Sequence, residues 1–201
     1  MISRNKIVVD LYFIKSPRQW WMAHGLGYQL KRPFIMVVNE GFKGAKILNQ
    51  INKELKSEYL IDSILIPGKL TGQDKGLIKA FIERKTQWSR AKRILHSLLQ
   101  TFDVCRVITA NLNAIPILFL HARLPKADFH IIDDGLETYQ SKNTKYKGKL
   151  SNLYASIFAG FKVISPNKNE ILSFYTQGWF IDPKAVDSRF KKLIKKKYIQ
   201  L

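Results

Sequence analysis

Short apolar runs recur along this chain, each followed by a stretch of helical period, and that alternation limits what it can fold into. The runs lie at 7–14, 34–38, 59–66, 104–110, 129–132 and 161–165. Helices are expected between them, at 17–30, 43–56, 74–100, 113–123, 150–160 and 168–176. Ser16 stands as N-cap and Pro17 at the first turn of the first helix. In the second, Ile47, Leu48, Ile51 and Leu55 share one face, which is expected to meet the core. In the long third one, Leu77, Phe81, Trp88, Ile94, Leu95, Leu98 and Leu99 form the apolar stripe. Strands alternating with helices imply an α/β fold with a doubly wound parallel sheet. Short continuous apolar runs suit strands covered on both faces. No repeat or low-complexity linker interrupts the pattern. It weakens after Gly178, so the expected organisation is one domain over 1–180 and a lysine-rich tail over 181–201.

Hydrophobic residues make up 46% of the 201 positions, enough for a true core. The chain carries 34 Lys and Arg against 15 Asp and Glu, a formal charge of +19. That excess favours anionic partners such as acidic glycans, nucleotide sugars, anionic lipid surfaces or nucleic acid. It does not choose among them, although no helix-turn-helix, zinc-finger or RNP pattern argues for nucleic acid. The single cysteine, Cys105, excludes an internal disulfide and is expected to be a buried, inert thiol. The run at 7–14 is interrupted by Asp10 and has no small-residue cleavage site, and 114–120 is too short to span a bilayer. A cytoplasmic location is expected, with contact to a membrane surface as one use of the charge.

Three places could carry chemistry. Asp133-Asp134-Gly135 follows the apolar run 129–132. Open α/β sheets bind ligands beyond the carboxyl ends of their strands, where a carboxylate can act as general base and a glycine lets the chain turn. The plainer reading is that the acids solvate a strand end. Ser16-Pro17-Arg18-Gln19 follows the first strand, and a helix N-terminus there offers amides to a hydroxyl-rich or anionic ligand. An ordinary helix cap is the commoner use of such residues. Asn111, with Asn113 nearby, follows the fourth strand and could bind a sugar or cap a helix.

The four histidines, His24, His96, His121 and His130, show no metal-ligand spacing. His130 reads as a satisfied core residue and His96 as solvated. Walker, G-x-G-x-x-G and G-x-S-x-G patterns are all missing at the positions that would give them meaning. Basic runs occur at Arg84, Lys85, Arg90, Lys92 and Arg93, across 142–149, and at Lys191, Lys192, Lys195, Lys196 and Lys197. Trp20, Trp21, Trp88 and Trp179 lie beside basic stretches, a combination suited to membrane interfaces or anionic polymers.

Two of these features resemble a known family. Ser16-Pro17-Arg18-Gln19 is similar to the Ser/Thr-Pro-x-Gln turn of bacterial sialyltransferases, and Asp133-Asp134-Gly135 to their acidic-acidic-Gly motif. The group is that of glycosyltransferase family 52 and the capsule polysialyltransferases. The resemblance implies a Rossmann-like domain, the N-terminal half of a GT-B fold, over about residues 5–180. It implies Asp133 as base, with Asp134 as the second choice, and Ser16, Pro17, Gln19 and Gly135 on the acceptor side. Asn111 joins that side by position alone. The donor would be a nucleotide sugar, cytidine monophosphate-sialic acid, with no metal, in capsule or lipooligosaccharide synthesis.

The family's His-Pro motif, which serves the donor, has no counterpart, because no histidine here precedes a proline. The chain is therefore expected to be an acceptor half, with the donor domain on a second polypeptide or lost. The competing expectation is a non-catalytic basic module for anionic glycan, membrane surface or nucleic acid.

Overall fold

The computed structural model describes residues 6–55, 57–68, 77–110, 114–133, 156–161 and 175–181. In chain order the elements are β1 (Ile7–Ile14), α1 (Pro17–Leu30), β2 (Phe34–Asn39), α2 (Ala45–Glu54) and β3 (Leu60–Ile66). They continue with α3 (Leu77–Thr101), β4 (Phe102–Thr109), α4 (Ile115–Arg123), β5 (Asp128–Ile132) and β6 (Gln177–Trp179). The strands form a six-stranded parallel sheet in the order β3-β2-β1-β4-β5-β6, with flanking helices. The expected doubly wound α/β fold is the one observed. The chain divides into two compact units, Met1–Val107 and Ile108–Leu201.

In the first unit, β1 and β2 pair in parallel from Asp10 with Phe34 to Ile14 with Val38, and β2 pairs in parallel with β3. All of β2 and most of β1 are buried, which is why both read as unbroken apolar runs. Helices joining adjacent parallel strands cross over with one hand. Side-chain bonds between α1 and α2 show that the two helices lie together on the sheet. Gly27 lets α1 approach closely, because a Cβ there would stand 2.5 Å from the buried Phe34 ring. On α3 the buried residues Trp88, Ala91, Leu95 and Leu98 follow a helical period.

The second helix departs from expectation. Its buried side holds Ala45, Asn49 and Asn52, whereas of the expected apolar face Ile47, Ile51 and Leu55 are exposed and Leu48 is half-buried. The helix is amphipathic as its period implies, but its apolar stripe points away from the sheet. The reason lies in the polar side chains that β3 and α1 present to it, Ser63, Trp20 and His24.

In the second unit, α4 begins with Pro116 in its first turn and buries Ile117, Phe119 and Leu120. β5 pairs in parallel with β6, His130 with Gln177 through Ile132 with Trp179. Among the described residues the last strand is Gln177–Trp179; of the strand expected at 161–165 only Phe161 is described, as a bend, and the rest lies outside the described residues. Gly178 is required here, since a Cβ would collide with the Phe180 ring. Residues 156–159 are helical, in line with the end of the helix expected at 150–160. Of the helix expected at 168–176 only Tyr175 and Thr176 are described, and they are not helical; its remainder and the tail after Ile181 lie outside the described residues. Among the described residues, no helix is long and apolar enough to cross a membrane.

Candidate functional site

The turn after β1 is built as a helix start. Ser16 adopts extended backbone and its Oγ accepts from the Gln19 N–H at 3.2 Å. Gln19 is buried, and its Oε1 accepts from the Lys15 N–H at 2.7 Å. This is a capping box that reaches one residue further back than usual. Pro17 fills the first helical position, where its missing N–H costs nothing. Ser16, Pro17 and Gln19 therefore stand together at the carboxyl end of β1, and their polar atoms hold the turn in shape.

Asp133 stands one residue past β5, fully buried. Its N–H donates to the Trp179 carbonyl at 3.0 Å, extending the β5–β6 ladder by one bond. Below it His130 is buried, and its Nδ1 accepts from Trp179 Nε1 at 3.1 Å, so it is the satisfied core histidine its setting implied. Asp134, Gly135, Asn111 and Asn113 lie outside the described residues, as do the basic stretches at 142–149 and 191–197.

The four tryptophans do not share the interfacial role expected of them. Trp88 and Trp179 are buried, Trp20 is half-buried and bonded, and only Trp21 is exposed. His96 is exposed, as expected.

Two polar clusters of the first unit were not foreseen. In one, Asn52 joins α2 to its surroundings. Its Oδ1 accepts from Trp20 Nε1 and from His24 Nε2, each at 2.7 Å. Its Nδ2 donates to Ser63 Oγ at 2.8 Å and lies 3.2 Å from Met36 Sδ, and Ser63 Oγ donates to Asn49 Oδ1 at 2.8 Å. Burial pulls the His24 pKa below its ordinary value, against the opposing pull of its bond to Asn52. The arrangement holds the ring neutral, with its proton on Nε2. A signal existed in the sequence: asparagines three apart on one helix face, with a serine inside an apolar strand.

In the other cluster, buried Asp10 on β1 receives Arg106 of β4 at 3.2 Å, and Arg32 lies 3.9 Å away. Cys105 Sγ stands 3.3 Å from the same carboxylate, and Arg32 donates to that sulfur at 3.2 Å. Burial, then the bond to Asp10 and its charge, raises the thiol pKa, which keeps the sulfur protonated and inert. Cys105 is half-buried, less enclosed than expected. Asp10 and Arg106 each break an otherwise apolar strand, and opposite charges in two such strands are the sequence mark of a buried pair.

Chemically, the described residues offer one buried carboxylate at a strand end, a closed helix cap and two polar clusters, in the second of which Arg106 Nε is buried without a hydrogen-bond partner. Among them no group of three or more His, Cys, Asp or Glu is placed to hold a metal ion. No family model matches the chain, and no curated protein matches it.

Proposed function

We propose that this chain is the acceptor-binding half of a sialyltransferase-like glycosyltransferase of the GT-B type. The observation that carries the reading is Asp133, a buried carboxylate at the carboxyl end of a strand in a parallel α/β sheet. Sheets of this class hold their ligands at that edge. The Ser16 turn ends β1 in the same manner and supports the reading from its own unit.

In this reading Asp133, or Asp134 as the alternative, takes the proton of an acceptor sugar hydroxyl. The freed oxygen attacks the anomeric carbon of the donor, and the bond to the phosphate of cytidine monophosphate breaks with inversion. Ser16, Pro17, Gln19, Asn111 and Gly135 shape the acceptor side. Donor binding falls to a second Rossmann-like domain. The reaction serves surface polysaccharide or lipooligosaccharide synthesis at the cytoplasmic side of the inner membrane.

The test is transfer from cytidine monophosphate-sialic acid to a glycan, by this chain alone and with the polypeptide encoded directly downstream. Activity in either arrangement supports the reading, and Asp133→Asn then lowers turnover by about 10²–10⁴-fold. Turnover that survives in Asp133→Asn removes the residue from the base role.

A second reading rests on α3, where Arg84, Lys85, Arg90 and Arg93 are exposed. A non-catalytic module that binds anionic glycan or nucleic acid through such a helix would lose affinity steeply with salt. It would be indifferent to the Asp133 substitution.

A further inference from the structure

The outward stripe of α2 is the least explained feature of the first unit. Ile47, Ile51 and Leu55, spaced by one turn each, are 65%, 36% and 46% exposed. On α1, which packs beside α2 through the Trp20–Asn52 bond, Trp21 is 54% and Tyr28 70% exposed, seven residues apart and so on one face. The α1–α2 layer therefore shows five large apolar side chains to solvent. Isolated exposed leucines mean nothing, but several on one layer, rimmed by polar residues, mark a place of contact. The stripe is no folding accident, because the opposite side of α2 is committed to the sheet through Asn49 and Asn52.

The rim identifies the partner. Residues 15–55 hold seven Lys and Arg against two Glu. Lys43, Lys46 and Lys53 are exposed on or beside α2; of the two acids, Glu40 pairs with Lys46 at 2.9 Å and Glu54 accepts from Gln50. A surface that is apolar at its centre and cationic at its edge complements an anionic bilayer, whose headgroups attract lysine while the acyl boundary accepts aliphatic side chains. Trp and Tyr, apolar rings with polar tips, suit the headgroup level.

A second copy of this chain fits poorly, since it would bring two cationic rims face to face. Nucleic acid fits poorly too, since isoleucine and leucine offer a base neither a hydrogen bond nor a stacking plane. We infer that the outer face of α1 and α2 docks on an anionic lipid surface, with Ile47, Ile51 and Leu55 entering the boundary below the headgroups. This docking does not depend on the transfer reaction.

The experiment is co-sedimentation of the full chain with vesicles of phosphatidylcholine, alone or mixed with phosphatidylglycerol at about 2:1. Binding is expected on the mixed vesicles only, weakening with added salt. Trp21 emission should shift to the blue on binding, and this shift should vanish in Trp21→Phe. The double variant Ile47→Gln with Ile51→Gln should lower partitioning by about tenfold or more. Both positions are exposed, so its circular dichroism should stay that of the parent. Lys46→Gln with Lys53→Gln should also weaken binding. No binding to mixed vesicles overturns the inference, as does binding that the isoleucine variant leaves unchanged. A dimer that the isoleucine variant dissociates, with no vesicle binding, overturns it in favour of a second copy. Displacement from vesicles by duplex DNA, with the isoleucine variant unaffected, overturns it in favour of nucleic acid.

Discussion

Asn52 uses its whole carboxamide. One oxygen accepts two protons, from Trp20 and His24, and the amide nitrogen reaches Ser63 and Met36. Replacing it by alanine removes the bond into the buried Ser63 hydroxyl, which keeps its own to Asn49, and strands two ring N–H donors that are half-buried and open to some water. An unmet buried group costs about 1–3 kcal/mol. Asn52→Ala should therefore lose about 2–3 kcal/mol in urea unfolding. A loss below about 0.5 kcal/mol, the level of an ordinary surface change, would show that the network adds little. Burial sets a pH response at the same site, against the pull of the bond to Asn52. The His24 pKa in the folded chain lies below its unfolded value of 6.5, and His121 is lowered in the same direction by burial. Below pH 6.5 the unfolded chain takes up protons that the folded chain refuses, so stability falls as the pH drops through that value, until the folded-state pKa values are passed. The urea midpoint should fall between about pH 7.5 and about pH 5.5, and less so in His24→Gln, which keeps a donor but does not titrate. A midpoint that is flat or rises on acidification would contradict this assignment.

At the scale of elements, the Ser16 turn has a capping role and, in the proposed function, an acceptor role, which one substitution confounds and two separate. Ser16→Ala should cost about 1 kcal/mol of stability through loss of the cap. Ser16→Asn restores a capping oxygen, so it should recover most of that stability. Should Ser16 also meet an acceptor, KM for the glycan would stay raised in Ser16→Asn although the fold is restored. Recovery of both together would leave the residue a cap alone. This turn was legible in the sequence because a serine, a proline and a glutamine at N-cap, N1 and N3 each answer a local need of the backbone. The ends of β1, β2 and β5 were legible for a related reason, since strands covered on both faces have little choice but to be apolar throughout. The second helix was not. Period reveals that a helix has an apolar stripe, but not which way it faces, and Asn49, Asn52 and Ser63 decide that only when brought together. Nor was β6, whose three residues include a glycine and form no apolar run. Its warrant is the register with β5 and the bond from Trp179 to His130, both set by tertiary structure. The place of Asp133 at a strand mouth could be read from the apolar run before it. What it acts on could not, because a carboxylate at a strand end serves many ligands.

For the molecule as a whole, charge sets the terms. With 34 Lys and Arg against 15 Asp and Glu, fewer than half of the cations can have an acidic side chain to themselves. Some acids are already spent inside: Asp10 is buried against Arg106, near Arg32. Folding gathers the remaining like charges into a smaller volume, and that self-repulsion works against the compact state. Salt screens it, with a Debye length that shrinks from about 30 Å at 0.01 M to about 8 Å at 0.15 M. Salt also weakens attractive pairs, but Asp10 with Arg106 is buried and is screened much less. Exposed pairs such as Glu40 with Lys46 contribute little at any salt. The two effects therefore do not cancel, and added sodium chloride should raise the urea midpoint between those two concentrations. Chloride at these levels is too dilute for surface exclusion to matter, which separates screening from the general stabilisation that sulfate gives. A midpoint that falls as salt is added would mean that attractive pairs outweigh the net charge. The charge excess would then have to be held apart in the fold, in a region where cations do not face one another.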